Sequence, residues 1–391
     1  MSSNQWVDKV NRDQLVQVCK QLVSIPSVSG DEFEVMQFVK SWLADRDIAY
    51  IETANDPQRP NIIATIGDAN AGPIIAMNGH LDVVPVSDAS SWESDPFEGV
   101  VRNGRLYGRG AADMKSSVGV MLTMLDMFRN ASLQGALSVH VVSDEERGAN
   151  FGTKHVVAEI EAGNIPRPDF TIVGEGSGFK IRIAERGGLG VKVHFKGRAS
   201  HTAVARVTGI NALAKAAKGI LALEHHLETF HPAVGHPVLS VNGIQAGIAD
   251  NVVPGEAMID IDRRTVPGET VESIIGDIRA KLDAVAATDP DFIYELEYDP
   301  ERYTVANMTS ADSPLVVAFQ ESLRELDREP EFFVEWAGIT DARLYRGIGI
   351  DTVIMGAAGE NEHGANEYIE INDIETQARI YAATISRLLG V

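Results

Sequence analysis

Five short, largely apolar runs recur along the chain: Asn61 to Ile66, Pro73 to Met77, Ala136 to Val142, Phe170 to Val173 and Thr352 to Met355. Runs of this kind, without in–out alternation, are the pattern of strands covered on both faces. Stretches of helical periodicity separate them, and strands alternating with helices specify an α/β fold with a mostly parallel sheet. Leu15, Val18, Leu22 and Val23 mark one helix, and Val35, Met36, Val39, Trp42 and Leu43 mark a second. Ser29 with Glu32 predicts a capping box at the start of that second helix. A further helix is expected over Ser117 to Phe128.

Between about Gly188 and Asp299 the texture changes. Strand patterns at Gly190 to Phe195, Pro237 to Gly243, Ala257 to Arg263 and Asp291 to Tyr298 enclose two helical stripes. One stripe carries Ile210, Leu213, Ala217, Ile220 and Leu221, and the other Val271, Ile274, Ile275, Ile278 and Leu282. Two helices on a four-stranded antiparallel sheet make a compact α+β unit. A chain of 391 residues is too long for one ordinary core. The expected organisation is a catalytic domain in two parts, 1–187 and 300–391, with an inserted domain at 188–299.

The net charge of −22 excludes nucleic acid and anionic membranes as partners, because phosphate binding needs surplus Lys and Arg. No stretch reaches the roughly 18 apolar residues of a membrane span, and Met1 to Asp13 is too polar for a signal peptide. A cytoplasmic setting is expected. The single cysteine, Cys19, cannot form an intrachain disulfide, and its apolar neighbours make it a core thiol.

The residues able to do chemistry lie just after the strand patterns, at the edge where open α/β sheets bind ligands. In NGHLDVVPV, His80 and Asp82 are two residues apart and share a face, so Asp82 can hold the imidazole of His80 in one tautomer. In YGRGAADMKSS, Asp113 sits in a turn of small residues, where a carboxylate can bridge two cations. VSDEERG places Asp144, Glu145 and Glu146 in a row, a repulsive arrangement unless cations offset it. Glu175 in IVGEGSG and His363 in GENEHGANEY complete the set.

Each residue alone could be a cap or a turn. Together, two imidazoles and three carboxylates suit Zn²⁺, with Co²⁺ or Mn²⁺ as alternatives, and suit Ca²⁺ poorly. A cation lowers the pKa of bound water towards about 7, and Glu145, beside the ligand Glu146, is placed to move its proton to a leaving amine. The expected chemistry is metal-assisted hydrolysis. His140, His155, His194, His225, His226, His231 and His236 fall in no such pattern and read as structural or surface residues.

In this order the motifs resemble the metallopeptidase family of acetylornithine deacetylase, succinyl-diaminopimelate desuccinylase, aminoacylase-1 and glutamate carboxypeptidase. The resemblance covers nearly the whole chain. It implies a zinc-peptidase-like catalytic domain with an inserted lid and dimerisation domain. It implies that His80, Asp113 and Glu175 hold one metal ion, and Asp113, Glu146 and His363 the other. Asp82 would orient His80, and Glu145 would be the general acid/base. Glu rather than Asp at position 175 favours a deacylase.

His201, in GRASHTA, matches the lid histidine that reaches a partner subunit's site, although a Pro common shortly after it is missing here. Asn251 and Arg264 match substrate-anchoring positions, with Arg263 competing for the role because alternation alone does not decide which arginine faces the cleft. Gly338 and Thr340, in WAGITDAR, resemble the loop that binds the substrate carboxylate. The expected activity is removal of an acetyl- or succinyl-type group from an N-acyl amino acid or diamino acid. The alternative is a dipeptidase or carboxypeptidase, in either case a homodimer acting on a small molecule.

Overall fold

The computed structural model describes residues 4–334 and 338–391. The chain forms two compact units, one of residues 4–183, 309–333 and 340–391, the other of residues 184–308 with Val334, Gly338 and Ile339. The units divide after Ile183 and after Met308, against expected breaks after residues 187 and 299.

The first unit is built on a six-stranded sheet. Its strand order is Tyr50–Thr53, Asn61–Gly67, Ala136–Val142, Ile74–His80, Phe170–Val173 and Asp351–Ile354. The last four run parallel, while the Asn61–Gly67 strand is antiparallel to both its neighbours. Every residue of Ile74–His80 and Ala136–Val142 is buried. Successive side chains on a strand point to opposite faces, so the sheet is covered on both.

Helices Arg12–Val23, Ser116–Phe128, Pro314–Glu325 and Ile371–Leu388 pack on one another, and their core includes the fully buried Leu15, Leu22, Phe128, Phe319 and Tyr381. Helices Thr153–Glu161 and Ala342–Gly347 pack with Ile63 and Val142 in a second apolar cluster. A small antiparallel sheet, ordered Tyr368–Glu370, Arg105–Tyr107 and Val100–Arg102, joins the chain before the Asp113 turn to the chain after His363.

The second unit carries a four-stranded antiparallel sheet in the order Val238–Ala246, Glu256–Thr265, Gly187–Lys196 and Ile293–Tyr298. Alternation along its two central strands sends Leu189, Val191, Val193, Phe195, Ala257, Ile259 and Ile261 into one core. Helices Ala212–Leu223 and Val271–Ala286 close that core with Ala212, Ala216, Ile274, Ile278 and Leu282. The mixed α/β fold therefore has the mostly parallel main sheet and the separate antiparallel sheet expected. No helix among the described residues is long and apolar enough to cross a membrane.

The capping box does not form. Glu32, not Ser29, is the residue before helix Phe33–Ala44, and its side chain makes no cap bond. Its carboxylate instead accepts from Gly30 N at 2.9 Å and from Arg59 Nε at 2.9 Å and Nη2 at 2.6 Å. Ser29 Oγ donates to Asp82 Oδ2 at 2.8 Å. Buried charges demand partners more strongly than an exposed helix end does, and the local motif gives way.

Cys19 is a core thiol, its pKa pushed up to about 12 by burial. It lies where helix Arg12–Val23 meets helix Ser116–Phe128 at Gly119, whose missing Cβ would stand 2.6 Å from Cys19 Sγ. Gly119→Ala, which in an exposed helix would stabilise by about 1 kcal/mol, is expected to destabilise this unit by about 1–3 kcal/mol through overpacking. Urea unfolding followed by tryptophan fluorescence measures the sign.

Candidate metal centre

Four of the five predicted ligands occupy the carboxyl edge of the main sheet. His80 ends its strand, and Glu146, Glu175 and His363 follow Ala136–Val142, Phe170–Val173 and Asp351–Ile354 in turn. Asp113 differs from that expectation, because it follows a strand of the small three-stranded sheet, in the Ala111–Lys115 segment. Its own backbone there is extended, with φ −123° and ψ 98°. The fold nevertheless brings it between the two histidines.

Asp113 Oδ1 lies 3.2 Å from His80 Nε2, and Asp113 Oδ2 lies 3.1 Å from His363 Nε2. Glu175 Oε1 is 3.4 Å from His80 Nε2, and Glu146 Oε1 is 3.2 Å from His363 Nε2. Two groups of donors result, His80–Asp113–Glu175 and Asp113–Glu146–His363, each with its donor atoms within 4.8 Å of one another. Donors about 2.0–2.1 Å from a tetrahedral cation stand roughly 3.3–3.4 Å apart, close to the spacings seen here. The residues fit a pair of cations sharing one carboxylate.

The electrostatics point the same way. Burial pushes the Glu146 carboxyl up to about 7, helped by the nearby charge of Asp113. Burial raises Glu175 and raises Glu145 well above the usual carboxylate range, with neighbouring carboxylates adding to both. Burial opposes charge on His80, yet hydrogen bonding to Asp113, Asp82 and Glu175 outweighs it and lifts its pKa. Hydrogen bonding to Asp113 lifts His363 to about 9. Burial also opposes ionisation of Asp113, but its bonds to His363 and His80 hold it below the ordinary range. The raised glutamates reflect burial added to by neighbouring carboxylates, and the raised imidazoles reflect bonds to carboxylates, so the site carries more acid than its two histidines balance, a surplus that divalent cations would offset.

Asp82 is fully buried, and its place differs from the simple orienting role expected. His80 Nδ1 is 2.9 Å from the carbonyl oxygen of Asp82 and 3.5 Å from its Oδ1. The carbonyl is thus the nearer acceptor. Either contact places a proton on Nδ1 and turns the Nε2 lone pair towards Asp113 and Glu175. The Asp82 carboxylate accepts from Ser29 Oγ and from the backbone N–H groups of Glu145 at 3.0 Å and Glu146 at 3.2 Å. It therefore fixes the turn that presents the adjacent glutamates.

Asp144 supports the same turn from a left-handed backbone conformation with φ 64°. Its Oδ1 accepts from Arg59 Nη2 at 2.6 Å and its Oδ2 from Phe151 N at 3.1 Å. No motif marks Ser29, Glu32 or Arg59 as site residues: Ser29 and Glu32 have the spacing of a capping box, and Arg59 is one charged residue in a loop.

In the second unit, the Ser200–His201 strand pairs with Val252–Val253, and Thr202 N donates to Asn251 O, so the His201 and Asn251 loops are neighbours. His201 Nδ1 accepts from Ala203 N at 3.1 Å. In the neutral ring the proton then sits on Nε2, which is a donor. Arg263 is buried on the helix side of its sheet, paired with Glu269 and donating to Arg264 O. Arg264 is on the opposite, partly exposed face and pairs with Asp262 at 2.8 Å and 3.0 Å. Of the two arginines, only Arg264 is open to an outside carboxylate.

Thr340 Oγ1 accepts from Ala342 N, starting helix Ala342–Gly347. Gly338 lies beside it in sequence, while Trp336 and Ala337 of the same motif fall outside the described residues. Among the seven histidines read as structural, His140 is buried against Tyr345 Oη at 2.8 Å, and His194 pairs with Glu297 on an exposed strand face.

Comparison with known proteins completes the assignment. Residues 76–387 match the model of peptidase family M20/M25/M40. Over 331 residues, 82% of this chain and 85% of the relative, the sequence is 31% identical to the succinyl-diaminopimelate desuccinylase of Alkalilimnicola ehrlichii. It is 28% identical over 388 residues to the same-named protein of Marinobacter nauticus, covering 96% of this chain and 98% of that one. Among solved structures, the aminopeptidase PepT of Bacillus cereus has a TM-score of 0.78 at 18% identity, covering 97% of this chain and 99% of its own. The YXEP protein of Bacillus subtilis, described as a dinuclear metal binding peptidase, has a TM-score of 0.73 at 20% identity, covering 97% and 98%. The chain therefore belongs to peptidase family M20/M25/M40 and is a metal-dependent amide hydrolase.

Proposed function

We propose that this enzyme uses two divalent cations, Zn²⁺ first, to remove an acetyl- or succinyl-type group from an N-acyl amino acid or diamino acid with a free carboxylate. The observation that carries the reading is Asp113, whose two oxygens face His80 and His363 separately, beside a glutamate pair pinned by Asp82. His80, Asp113 and Glu175 would hold one cation, and Asp113, Glu146 and His363 the other. When bound, the cations supply Lewis acidity at the scissile carbonyl and to the attacking water.

Glu145 takes a proton from water and delivers it to the departing amine nitrogen. Its buried carboxyl, raised well above the usual range, suits a group that must hold that proton between the two transfers. His201 donates from Nε2 to the carbonyl oxygen as charge develops there. Arg264 exchanges its contact with Asp262 for the substrate carboxylate, which a guanidinium can grip in two-pronged fashion. Asn251, Gly338 and Thr340 would complete that anchor.

The acyl class rests on the desuccinylase relatives. A dipeptidase or carboxypeptidase is the second reading, since proteins of similar fold include a carnosine dipeptidase and a metallo-carboxypeptidase. A homodimer formed through the second unit would let His201 serve a partner's site. The exposed Val207, Leu221 and Ile248 of that unit supply apolar surface for such a contact.

In a panel of N-succinyl-diaminopimelate, N-acetylornithine, dipeptides and the methyl esters of each, the free-acid acyl compounds should be hydrolysed with zinc present. Activity should vanish with chelator and return with zinc. Hydrolysis of dipeptides alone would favour the second reading, and no amide hydrolysis at all would remove both. Glu145→Gln should lower kcat by about 10²–10⁴-fold, the usual contribution of general acid–base catalysis, with metal content unchanged. Unaltered turnover in that variant would refute its role. Sedimentation should give a dimer, and a fully active monomer would rule out the role given to His201.

A further inference from the structure

Glu367 and Arg109 are almost completely buried, at 1% and 2% exposure, and neither belongs to the candidate donor groups or the acid–base machinery. Glu367 Oε1 accepts from the backbone N–H of Ala112 at 2.9 Å and of Asp113 at 3.2 Å. Its Oε2 accepts from Gly110 N at 3.1 Å and from Arg109 Nη1 at 2.5 Å. One carboxylate thus gathers three amides of the turn that carries the shared aspartate. Arg109 Nη2 in turn donates to the carbonyls of His363 and Gly364, both at 3.1 Å.

The pair spans the loop that leaves Arg105–Tyr107 and the loop that enters Tyr368–Glu370, antiparallel strands that pair at Tyr107 and Tyr368. The same loops meet at Gly359, whose absent Cβ would lie 2.2 Å from Ala112 Cβ, so there is no slack between them. We propose that the Arg109–Glu367 pair is a positioning strap that sets the distance between Asp113 and His363, and so the affinity of the Asp113–Glu146–His363 subsite. The inference rests on the two-cation reading above and concerns residues that touch no reacting atom.

The two subsites are held differently. His80 ends a fully buried strand and is 1% exposed, with its ring fixed through Nδ1. The Asp113 turn is also tied by Lys115, whose Nζ donates to Leu22 O at 3.1 Å and Ile25 O at 2.6 Å. These tethers do not involve the strap. His363 has a left-handed backbone with φ 61° and a side chain 54% exposed, and Arg109 holds it by its carbonyl. Without the strap, Asp113 keeps its relation to His80, while His363 is released.

A single Glu367→Gln change strands a buried guanidinium and endangers folding, so the double variant R109Q/E367Q, which removes both charges together, carries the test beside R109K. Apo-protein is titrated with Zn²⁺ against a chromophoric chelator, and the melting temperature of the apo form is recorded. In R109Q/E367Q the affinity that H363A also removes, that of the Asp113–Glu146–His363 subsite, should fall about 10–100-fold, the range for groups supporting a metal ligand, while the other changes by less than about threefold. R109K, charged but without the fork that reaches two carbonyls, should fall between that variant and wild type. In an H363A background the double change should leave the remaining affinity unaltered. Wild-type affinity at both sites of the double variant would overturn the strap, as would equal weakening at both with a lowered apo melting temperature. Failure of the wild-type enzyme to take up two cations would instead remove the two-cation reading, and the strap with it.

Discussion

Carboxylates crowded into a buried volume repel one another, and that repulsion is the constraint around which the first unit is arranged. Asp113, Glu145, Glu146 and Glu175 converge on two imidazoles, too little positive charge to balance them. Such a cluster persists in a fold only if the backbone holding it is more rigid than the repulsion is strong, and if cations can enter. The first condition is visible throughout the unit. His80 ends a strand buried on all seven residues, and Glu175 follows a neighbour in parallel register with it.

Around the donors lies a ring of charged side chains that act on backbone rather than on substrate. Asp82 grips the amides of Glu145 and Glu146, and Glu367 grips those of Gly110, Ala112 and Asp113. Arg59 answers Glu32 and Asp144, and Arg109 answers Glu367. Each carboxylate of this ring is paired with an arginine or accepts backbone N–H donors, as burial of charge requires. The placement of the donor side chains is therefore set by neighbouring groups that grip the backbone carrying them.

The second unit follows simpler rules. Strict alternation puts apolar residues on the helix side of its sheet and charged pairs such as Lys192–Asp260 and Lys196–Glu295 on the other. The same alternation separates Arg263 from Arg264, burying one against Glu269 and leaving the other at the surface. Adjacent positions in a strand serve opposite faces, so the strand bounds decide which of the two arginines is buried and which is partly exposed.

Much was readable before any coordinates. Ala136 to Val142 and Phe170 to Val173 are strands over the residues their apolar runs mark, and the polar residues within them, Ser138, His140 and Thr171, are buried with the rest. The order of His80, Asp113, Glu146, Glu175 and His363 pointed to a hydrolase because those residue types suit few other purposes in that sequence. Tertiary structure decided what depends on partners far along the chain. Ser29 bonds Asp82 instead of capping its helix, Glu32 meets Arg59, and Arg109 finds Glu367. Local sequence encodes period, caps and donor chemistry. It does not encode which buried charge will meet which, since that choice is made only when the chain closes and each stranded charge must find an opposite.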